Sequence, residues 1–483
     1  MGRVPNESRR GYTAISTVGV TPRPYQAKAL ADLKYLPSIG LFFGTGTGKT
    51  LTSLLRVEQN PTKNLLVICP EKVIEQWIDV IEKNTVGAKV ANLKSNWNSA
   101  KKDEFLAEHL AEFNVVVINF DIVHLLSRFP RTINDSWTVI VDESHRIKAM
   151  GPKTKNQKGK DGVVVRVDGR TKVTQAVLAI GERTPWKIIL TATPTQGRYG
   201  GYIELYTQLK FLDYVDLDYE AFKERYVIEK KLAVPGIRFP VPVIMGYKHT
   251  EELDSILSLC CRYYEAKFGD FEPQHIDVFV DKAPHYAYME RERVLGDISL
   301  TNAPRMRTAQ KMLTTGVVSS FNLYNERVVV VDNDIKIKWL EEFLQDTNEV
   351  VAVYYQYKVE LEQLKALMKK LGKRIIVING ETKNAYRDIN EKEYDVVLGQ
   401  YQAASEALDG LHRKCHILIY FAMPEDSVLY RQSLGRIYRD GQTKVPIYYY
   451  LMMRKTIDED IRKMILEKVE FSQRTLGLIE VDA

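Results

Sequence analysis

Residues 42–50 read Phe-Phe-Gly-Thr-Gly-Thr-Gly-Lys-Thr, a glycine-rich turn that ends in a lysine and a threonine. Alternate glycines let a backbone turn tightly and point its N–H groups inward at an anion. Lys49 can reach the outer phosphates of a nucleotide, and the Thr50 hydroxyl can bind magnesium where the next helix begins. The strict phosphate-loop pattern has glycine where this chain has Phe43. Flexible turns can look similar, but the attached Gly-Lys-Thr favours a nucleotide site. Its predicted ATP-binding residues are Gly44, Thr45, Gly46, Thr47, Gly48, Lys49 and Thr50.

Short apolar runs alternate with helical patterns along the rest of the chain, which is typical of parallel βαβ units. The runs that predict buried strands are 65–69, 115–118, 138–141 and 187–190, then 350–354, 374–378, 394–398, 417–421 and 447–451. The two series predict an α/β fold with two lobes, bounded at residues 1–265 and 266–483. The middle region, about 212–340, has long segments with helical periodicity, such as 250–268. It is expected to add helices to the first lobe and then to cross to the second.

Composition sets broad limits on the class of protein. A chain of 483 residues can hold two or three domains, and a net charge of +6 permits a polyanionic partner without requiring one. The four cysteines lack the spacing of a zinc site and suggest no disulfide framework at this size. No window of the sequence approaches a membrane span. We therefore expect an intracellular protein in a reducing compartment.

An acidic pair follows the apolar run that ends at Val141. In a parallel sheet, the carboxyl end of a strand faces the ligand crevice. There Asp142 can hold magnesium through water, and Glu143 can deprotonate an attacking water. Such a pair can also simply cap a helix. Its position about ninety residues after Gly-Lys-Thr favours a metal site for nucleotide hydrolysis.

The ordered motifs resemble those of superfamily-two helicases, and are most similar to the Swi/Snf-related double-stranded DNA translocases. Asp142-Glu143-Ser144-His145 resembles the DExH box of that superfamily. The other segments that carry the resemblance are Arg23-Pro24-Tyr25-Gln26, Cys69-Pro70-Glu71-Lys72 with Glu75-Gln76-Trp77, 190–196 with 209–212, and 432–442. They occur in the order of the family and span nearly the whole chain.

The resemblance implies two RecA-like lobes that use ATP and Mg²⁺, with helices on both faces of each sheet. It implies that Arg23, Tyr25 and Gln26 bind the adenine, and that Thr50 and Asp142 hold the metal. His145, Thr191 and Thr193 would couple the nucleotide state to lobe closure, although His145 can also be read as a structural histidine. The implied nucleic-acid contacts, each of which could equally be an ordinary loop residue, are Lys72, Asn119, Asn379, Gly380 and Ser405.

Two arginines of the second lobe complete the implied catalytic set of Lys49, Asp142, Glu143, Gln432, Arg436 and Arg439. Arg436 and Arg439 are three residues apart, so on a helix they would share one face and could act together as arginine fingers. A solvated basic face is the alternative interpretation. Gln432 could touch the γ-phosphate region or simply pack.

Three segments depart from the family or stay ambiguous. The glycine-rich fifth motif is replaced here by residues 402–411, which leaves backbone contacts to phosphate in doubt. Gly435 stands where the Swi/Snf group usually has aspartate. Residues 151–172 are rich in lysine and arginine, and form either a solvated surface loop or a loop that touches phosphate. The length leaves no room for large accessory domains, which favours a compact phage or bacterial enzyme over a nucleosome remodeller.

The leading hypothesis is a monomeric ATP-dependent DNA translocase that moves along duplex or forked DNA and remodels or migrates branches. The resemblance implies cytoplasmic action, in a bacterial or phage-infected cell, on DNA rather than RNA. The second hypothesis is a helicase that separates strands of DNA or RNA. The third is a clamp that binds ATP without hydrolysis, which the presence of Lys49, Glu143 and the arginines makes the weakest.

Overall fold

The structure is a computed structural model of the chain. It describes all residues except 1–14, 94–96, 129–132, 148–154, 159–163, 168–171, 196–200, 234–239, 266, 269–270, 301, 322–325, 383–384, 408–409 and 478–483. Two compact units are present. Unit 1 comprises Met1–Ala266 with Glu470–Ala483, and unit 2 comprises Lys267–Val469.

Unit 1 is an α/β unit. Its strands are β1 (Ser16–Thr17), β2 (Ser38–Phe43), β3 (Asn64–Cys69), β4 (Thr85–Val86), β5 (Val90–Asn92), β6 (Val115–Asn119), β7 (Trp137–Asp142), β8 (Lys155–Lys158), β9 (Val164–Val167), β10 (Lys187–Leu190), β11 (Val227–Leu232), β12 (Val241–Tyr247) and β13 (Cys261–Tyr264). Its helices are α1 (Pro24–Asp32), α2 (Lys49–Gln59), α3 (Ile74–Asn84), α4 (Ser99–Glu104), α5 (Lys172–Gly181), α6 (Tyr202–Phe211), α7 (Tyr219–Tyr226) and α8 (Thr250–Cys260). Short 3-10 turns include Glu71–Val73, Leu110–Glu112, Val123–Arg128 and Ser144–Arg146, and a π-helical turn covers Phe105–His109.

The seven-stranded sheet of unit 1 has the order β13-β2-β10-β7-β3-β6-β5, and every pairing in it is parallel. Successive residues of β3 point to opposite faces, so Leu66 and Ile68 enter one core cluster and Leu65 and Val67 the other. Because the strands are parallel, β2, β3, β7 and β10 all end at one edge. The segments with candidate functional residues follow these four strands.

Unit 2 has the same architecture. Its strands are β14 (Gln274–Val280), β15 (Val294–Leu295), β16 (Ile298–Ser299), β17 (Val317–Phe321), β18 (Arg327–Val331), β19 (Val350–Tyr355), β20 (Ile375–Ile378), β21 (Val396–Gln400), β22 (Cys415–Tyr420) and β23 (Ile447–Met453). Its helices are α9 (Tyr286–Glu292), α10 (Ala303–Thr314), α11 (Ile335–Asp346), α12 (Lys358–Lys370), α13 (Ala385–Glu391), α14 (Tyr401–Ala407), α15 (Ser427–Leu434) and the part of α16 (Ile457–Gly477) that ends at Val469, with a 3-10 turn at Leu411–Arg413.

The six strands of the unit 2 sheet have the order β14-β23-β22-β19-β21-β20, again with parallel pairings throughout. The prediction of two α/β lobes with mostly parallel sheets is confirmed. The nine predicted strands are present within two residues of their expected ends. Their continuous apolar composition suits strands that are buried on both faces.

The middle region differs from the expectation in one respect. The helical pattern of 250–268 ends at Cys260, and Cys261–Tyr264 form β13, which pairs with β2 at the edge of the sheet. Cys261 and Tyr263 are buried while Arg262 and Tyr264 are half-buried, so the period changes to that of a strand. The same region also holds the antiparallel hairpins β11–β12, β15–β16 and β17–β18 beside its helices.

Candidate functional site

The glycine-rich loop connects β2 to α2 at the carboxyl edge of the unit 1 sheet. Gly46 and Gly48 have φ angles of 76° and 75°, which side-chain-bearing residues rarely adopt. A Cβ atom at Gly48 would lie 2.8 Å from the Gln26 Nε2 atom. Gly48 immediately precedes α2, so the first N–H groups of that helix lie next to the loop, where they suit an anion.

Lys49 is the first residue of α2, and its ammonium group lies over the loop. It donates hydrogen bonds to the carbonyl oxygens of Phe43 (2.9 Å) and Gly44 (3.1 Å). The Thr47 hydroxyl also donates to the Gly44 carbonyl, at 2.6 Å. Thr45 and Thr50 are half-buried in the loop and in the first turn of the helix. The predicted phosphate-binding residues therefore form one compact turn around the ammonium group of Lys49.

The segment expected to bind adenine is attached to the back of this loop. The Tyr25 hydroxyl donates to the Thr47 carbonyl at 2.7 Å, and the Gln26 Nε2 donates to the same oxygen at 3.1 Å. The Gln26 Oε1 atom accepts from the Arg23 backbone N–H at 2.8 Å. Tyr25 and Gln26 are buried, whereas Arg23 is exposed. In this structure both buried side chains brace the loop.

Tyr264, at the end of β13, also contacts this region and was missed by sequence reasoning. Its ring stacks on Tyr25 with centroids 3.6 Å apart, and its carbonyl accepts from the Gly44 N–H at 2.8 Å. Nothing in the local sequence could have signalled this, because the contact depends on the pairing of β13 with β2.

The two acids lie at the end of β7. Asp142 is in register with Leu190 of β10, which is in register with Leu41 of β2. Two strand spacings, about 10 Å, thus separate Asp142 from the strand that leads into the glycine loop. Burial, together with the negative charge of Glu143, raises the pKa of Asp142, and Lys49 acts in the opposite direction.

His145 links Glu143 to Thr191, the residue that directly follows β10. Burial acts to raise the pKa of Glu143, but the hydrogen bond and charge of His145, and the charge of Lys49, outweigh it and lower that pKa. The His145 Nδ1 atom lies 3.2 Å from the Glu143 Oε2 atom and 3.1 Å from the Thr191 Oγ1 atom. The Thr191 hydroxyl oxygen accepts from the Thr193 N–H at 3.0 Å. The structure thus brings all three predicted coupling residues into one chain of contacts.

Gln208 on α6 forms a second connection that sequence reasoning missed. Its Oε1 atom accepts from the Ser144 hydroxyl at 2.8 Å, and its Nε2 donates to the Pro194 carbonyl at 2.7 Å. Gln208 is buried, and so is Ser144. It lies on α6 between the segments 190–196 and 209–212, and its only local signal was a polar residue in an apolar helix.

Unit 2 holds the remaining predicted residues of the catalytic set. Gln432 lies buried on α15, and Arg436 and Arg439 are half-buried in the turns that follow. The expectation that the arginines share a helix face is wrong, because α15 ends at Leu434. Gly435 comes next, and glycine disfavours helix continuation by about 1 kcal/mol relative to alanine. An Arg436 Nη2 group donates to the Ser405 carbonyl.

Two family models match the chain in the expected order. A model described as type III restriction enzyme, res subunit, matches residues 19–196, and one described as helicase conserved C-terminal domain matches residues 335–441. Together they cover more than half of the chain, and the glycine loop, the acids and the arginine turn lie inside them. The DNA repair and recombination protein RDH54 of Saccharomyces cerevisiae is 22% identical over 86% of this chain and 46% of its own length.

The chain belongs to the superfamily-two helicases. It is a nucleic-acid-dependent ATPase of helicase type. Its sequence is similar to that of a SWI/SNF-related protein, at 22% identity over 69% of this chain. A putative protein p41 of Acyrthosiphon pisum secondary endosymbiont phage 1 is 24% identical over 91% of this chain and 94% of its own. The SWI2/SNF2 ATPase core of Sulfolobus solfataricus, solved in complex with dsDNA, covers 97% of this chain and 98% of that chain at 18% identity with a TM-score of 0.41.

The donor set of this helicase fits a magnesium ion. Adjacent carboxylates of Asp142 and Glu143 concentrate negative charge in a half-buried place, and the Thr50 hydroxyl is a further oxygen donor near the glycine loop. Mg²⁺ prefers such hard oxygen ligands and keeps several of its waters. Asp142 and Thr50 are the residues that would hold it.

The predicted nucleic-acid contacts of this helicase divide into two groups. Lys72, in the 3-10 turn after β3, and Gly380, after β20, are exposed, and Asn379 is half-buried. Asn119 and Ser405 are buried instead. The Asn119 Oδ1 atom accepts from the Ile122 N–H, and the Ser405 hydroxyl donates to the Leu429 carbonyl. This placement argues against direct contact of either side chain with nucleic acid.

The segment that stands in for the fifth motif is helical over Tyr401–Ala407, in place of a glycine-rich loop. Alanine is the best helix former, and glycine is less favourable by about 1 kcal/mol per residue. Replacing glycines by alanines therefore explains why this segment is a helix and not a loop. Within the basic stretch 151–172, the structure describes the backbone of the β8–β9 hairpin and Lys172, which is exposed; the rest lies outside the described residues. Among the described helices, none has both the length and the low polarity that a bilayer crossing needs.

Proposed function

We propose that this chain is an ATP-driven motor that moves along duplex or forked DNA and remodels or migrates branched structures. The observation that carries the proposal is the chain of contacts from Glu143 through His145 to Thr191 and Thr193. It joins the hydrolytic acid to a second strand end, as a motor needs if hydrolysis is to change its conformation. DNA is the proposed track because RDH54, with which the chain shares 22% identity, is named for DNA repair and recombination.

The proposed chemistry is hydrolysis of ATP to ADP and phosphate by positioning and charge neutralisation. The loop amides and Lys49 hold the phosphates. Glu143, whose lowered pKa keeps it ionised, orients and deprotonates the attacking water. Bound Mg²⁺, held by Thr50 and Asp142, would neutralise charge on the phosphate oxygens. Arg436 and Arg439 would stabilise the transition-state charge, and Gln432 would touch the γ-phosphate region.

Binding to the track is proposed to go through phosphate and sugar. Lys72, Asn379 and Gly380 lie on loops at the carboxyl ends of β3 and β20, where backbone atoms and side chains reach solvent. Such contacts carry no base information, so affinity should be nearly independent of sequence and should fall steeply with salt.

A comparison of ATP hydrolysis rates tests this proposal. The rate should be low without nucleic acid and should rise strongly with double-stranded, forked or four-way DNA. Single-stranded DNA and RNA should stimulate it much less. Equal stimulation by RNA and by duplex DNA would contradict the assignment of the track. A Glu143→Gln variant supplies the background rate for every substrate.

One observation favours strand separation as a second candidate function. The β11–β12 hairpin is exposed to solvent along β11 from Ile228 to Leu232, and two of its apolar side chains, Ile228 and Met245, are 46% and 58% exposed. Lys230 and Lys231 lie between them in sequence. Apolar side chains beside cations can insert between base steps and unstack them.

A displacement assay on a tailed duplex separates the two functions. A strand-separating enzyme should release the labelled strand, and a double variant Ile228→Ser, Met245→Ser should release it more slowly with unchanged ATP hydrolysis. A translocase that does not separate strands should hydrolyse ATP on the same substrate and release nothing.

A further inference from the structure

Trp77 makes a contact with the acid that would hold the metal. The side chain is buried on α3, and its indole Nε1–H donates to the Asp142 Oδ2 atom at 2.9 Å. The other carboxylate oxygen, Oδ1, accepts from the Glu143 N–H at 2.9 Å. Each oxygen of Asp142 therefore has one fixed donor, and one of the two donors comes from a separate element.

The sheet order explains why this tryptophan reaches the acid. β3 is the parallel neighbour of β7, with Ile68 opposite Val141 near their carboxyl ends. After β3 the chain makes the turn Glu71–Val73 and enters α3, which packs on the sheet through Ile74, Trp77 and Ile81. These positions lie on one helix face because they are spaced three and four residues apart. The indole is thus held over the end of β7.

An indole is well suited to orient a carboxylate beside a metal. It is a hydrogen-bond donor without an acceptor, and it is neutral. It fixes the plane of the carboxylate without adding a positive charge that would repel Mg²⁺. Lys49, by contrast, acts on both acids through its charge. The contact is partly buried, and a hydrogen bond inside a protein is electrostatically stronger than one in water.

We propose that Trp77 is a positioning residue that holds the Asp142 carboxylate in the orientation needed for Mg²⁺. The inference rests on the proposed nucleotide hydrolysis. It also connects the metal site to the exposed Lys72, five residues earlier in the same turn-and-helix segment. A purely structural tryptophan would instead contribute packing against the sheet and leave the metal dependence unchanged.

The test is a Trp77→Phe variant, which removes the N–H donor and keeps an aromatic ring. Binding of a fluorescently labelled ATP analogue is followed by anisotropy without nucleic acid, first in EDTA and then with increasing Mg²⁺. Loss of an orienting contact around a metal ligand typically weakens metal affinity, so we expect the Mg²⁺ midpoint to rise about 10-fold. Binding in EDTA should match that of the parent protein.

Trp137→Phe is the matched control, since Trp137 is a buried tryptophan at the opposite end of β7. It should lower the melting temperature by a similar amount and leave the Mg²⁺ midpoint unchanged. An unchanged midpoint in Trp77→Phe, or an equal shift in both variants, would overturn the inference. Failure of the proposed hydrolysis itself would show separately, as a parent protein that binds the analogue but does not turn over ATP with any nucleic acid.

Discussion

Glu143 adopts a left-handed backbone conformation, with φ 52° and ψ 49°, directly after β7. Such a conformation is uncommon for a residue with a side chain, and strained backbone of this kind clusters at active sites. Here it turns the chain so that Glu143 and His145 face each other at 3.2 Å. Among the described residues, Glu143 is one of five non-glycine residues with a positive φ angle, and it is the one assigned to water activation.

Glu143→Gln tests that assignment. The amide keeps the size of the side chain but cannot accept a proton, so hydrolysis should fall by about 100-fold or more. ATP binding should persist, because Lys49 and the glycine loop are unaltered. Single-turnover hydrolysis and equilibrium binding of labelled ATP are the two measurements. Wild-type turnover in the variant would remove Glu143 from the mechanism.

Arg439→Ala should separate binding from turnover in a similar way. If Arg439 stabilises the transition state, its loss should lower kcat by about 1,000-fold while ATP affinity changes little. Arg413→Ala, which removes an exposed arginine of the same unit, is the control and should leave kcat unaltered. Equal kcat values for both variants and the parent protein would contradict the role of Arg439.

At the residue scale, the sequence predicted best those functional groups that lie next to one another in the chain. The glycine loop and the acidic pair could be predicted because their chemistry depends on local order. Trp77, Gln208 and Tyr264 could not, because each reaches the site across neighbouring strands or helices. The burial of Asn119 and Ser405 could not be predicted either, because it depends on how distant segments pack against them.

At the scale of single elements, α6 carries two adjacent buried polar residues with opposite roles. Gln208 bridges Ser144 and Pro194, whereas the Thr207 Oγ1 atom has no hydrogen-bond partner within the described part of the chain. A buried polar group without a partner destabilises a protein, and a bridging one stabilises it. The helix therefore offers its own matched pair of substitutions.

Gln208→Leu should leave both bridged groups unsatisfied and lower the free energy of unfolding by about 2–4 kcal/mol. ATP hydrolysis should fall as well, since the DExH segment loses its tie to the segment after β10. Thr207→Val should be neutral or stabilising by up to about 1 kcal/mol. Denaturant unfolding and ATPase rates measure both. A larger loss for Thr207→Val than for Gln208→Leu would reject this account.

The start of α12 contains a buried acid with a pH-dependent effect on stability. Glu360 accepts from the N–H groups of Gln356 (2.7 Å) and Tyr357 (2.9 Å) and contacts the Thr315 hydroxyl at 3.0 Å. Burial raises the pKa of Glu360 in spite of the lowering effect of the two N–H groups. The protonated form is therefore favoured by folding. The contribution of Glu360 to the free energy of unfolding is fully present below the ordinary glutamate pKa of about 4.3. It is lost as the pH rises through the raised pKa of Glu360 in the folded protein.

Glu360→Gln removes this titration and preserves the acceptor for both N–H groups. Relative to the parent protein, its melting temperature should improve as pH increases from about 5 to about 8. Glu362→Gln, at an exposed position of the same helix, should show no such trend. A constant difference between Glu360→Gln and the parent across that range would mean that Glu360 is not protonated in the fold.

Element boundaries were less predictable than the elements themselves. The strands could be predicted because parallel strands buried on both faces are continuous apolar runs. The end of α8 could not, since Cys260 and Cys261 are equally apolar and only the pairing with β2 makes the second one a strand residue. The end of α15 was signalled by Gly435, but the spacing of the arginines suggested a longer helix.

At the scale of the whole molecule, the net charge is only +6. We therefore expect the affinity for nucleic acid to depend on a few individual lysine and arginine side chains and not on the overall charge. Each phosphate contact by a cation contributes about 0.9 to the slope of log affinity against log salt on duplex DNA. Lys72→Ala should therefore reduce that slope by about one. Asn379→Ala should weaken binding without changing the slope, because asparagine carries no charge. Titrations at several salt concentrations measure both, and an unaltered slope in Lys72→Ala would remove this residue from the proposed track.

The position of β13 has a consequence for synthesis of the chain. β2 is buried along its whole length, yet one of its two neighbours is formed by residues 261–264, more than two hundred positions later. At a ribosomal rate of about 5–20 residues per second, that edge stays uncovered for roughly ten to forty seconds after β2 emerges. An uncovered strand edge can pair with other chains. Nascent chains that stall before residue 261 should therefore depend on chaperones, and those that pass residue 264 should escape them.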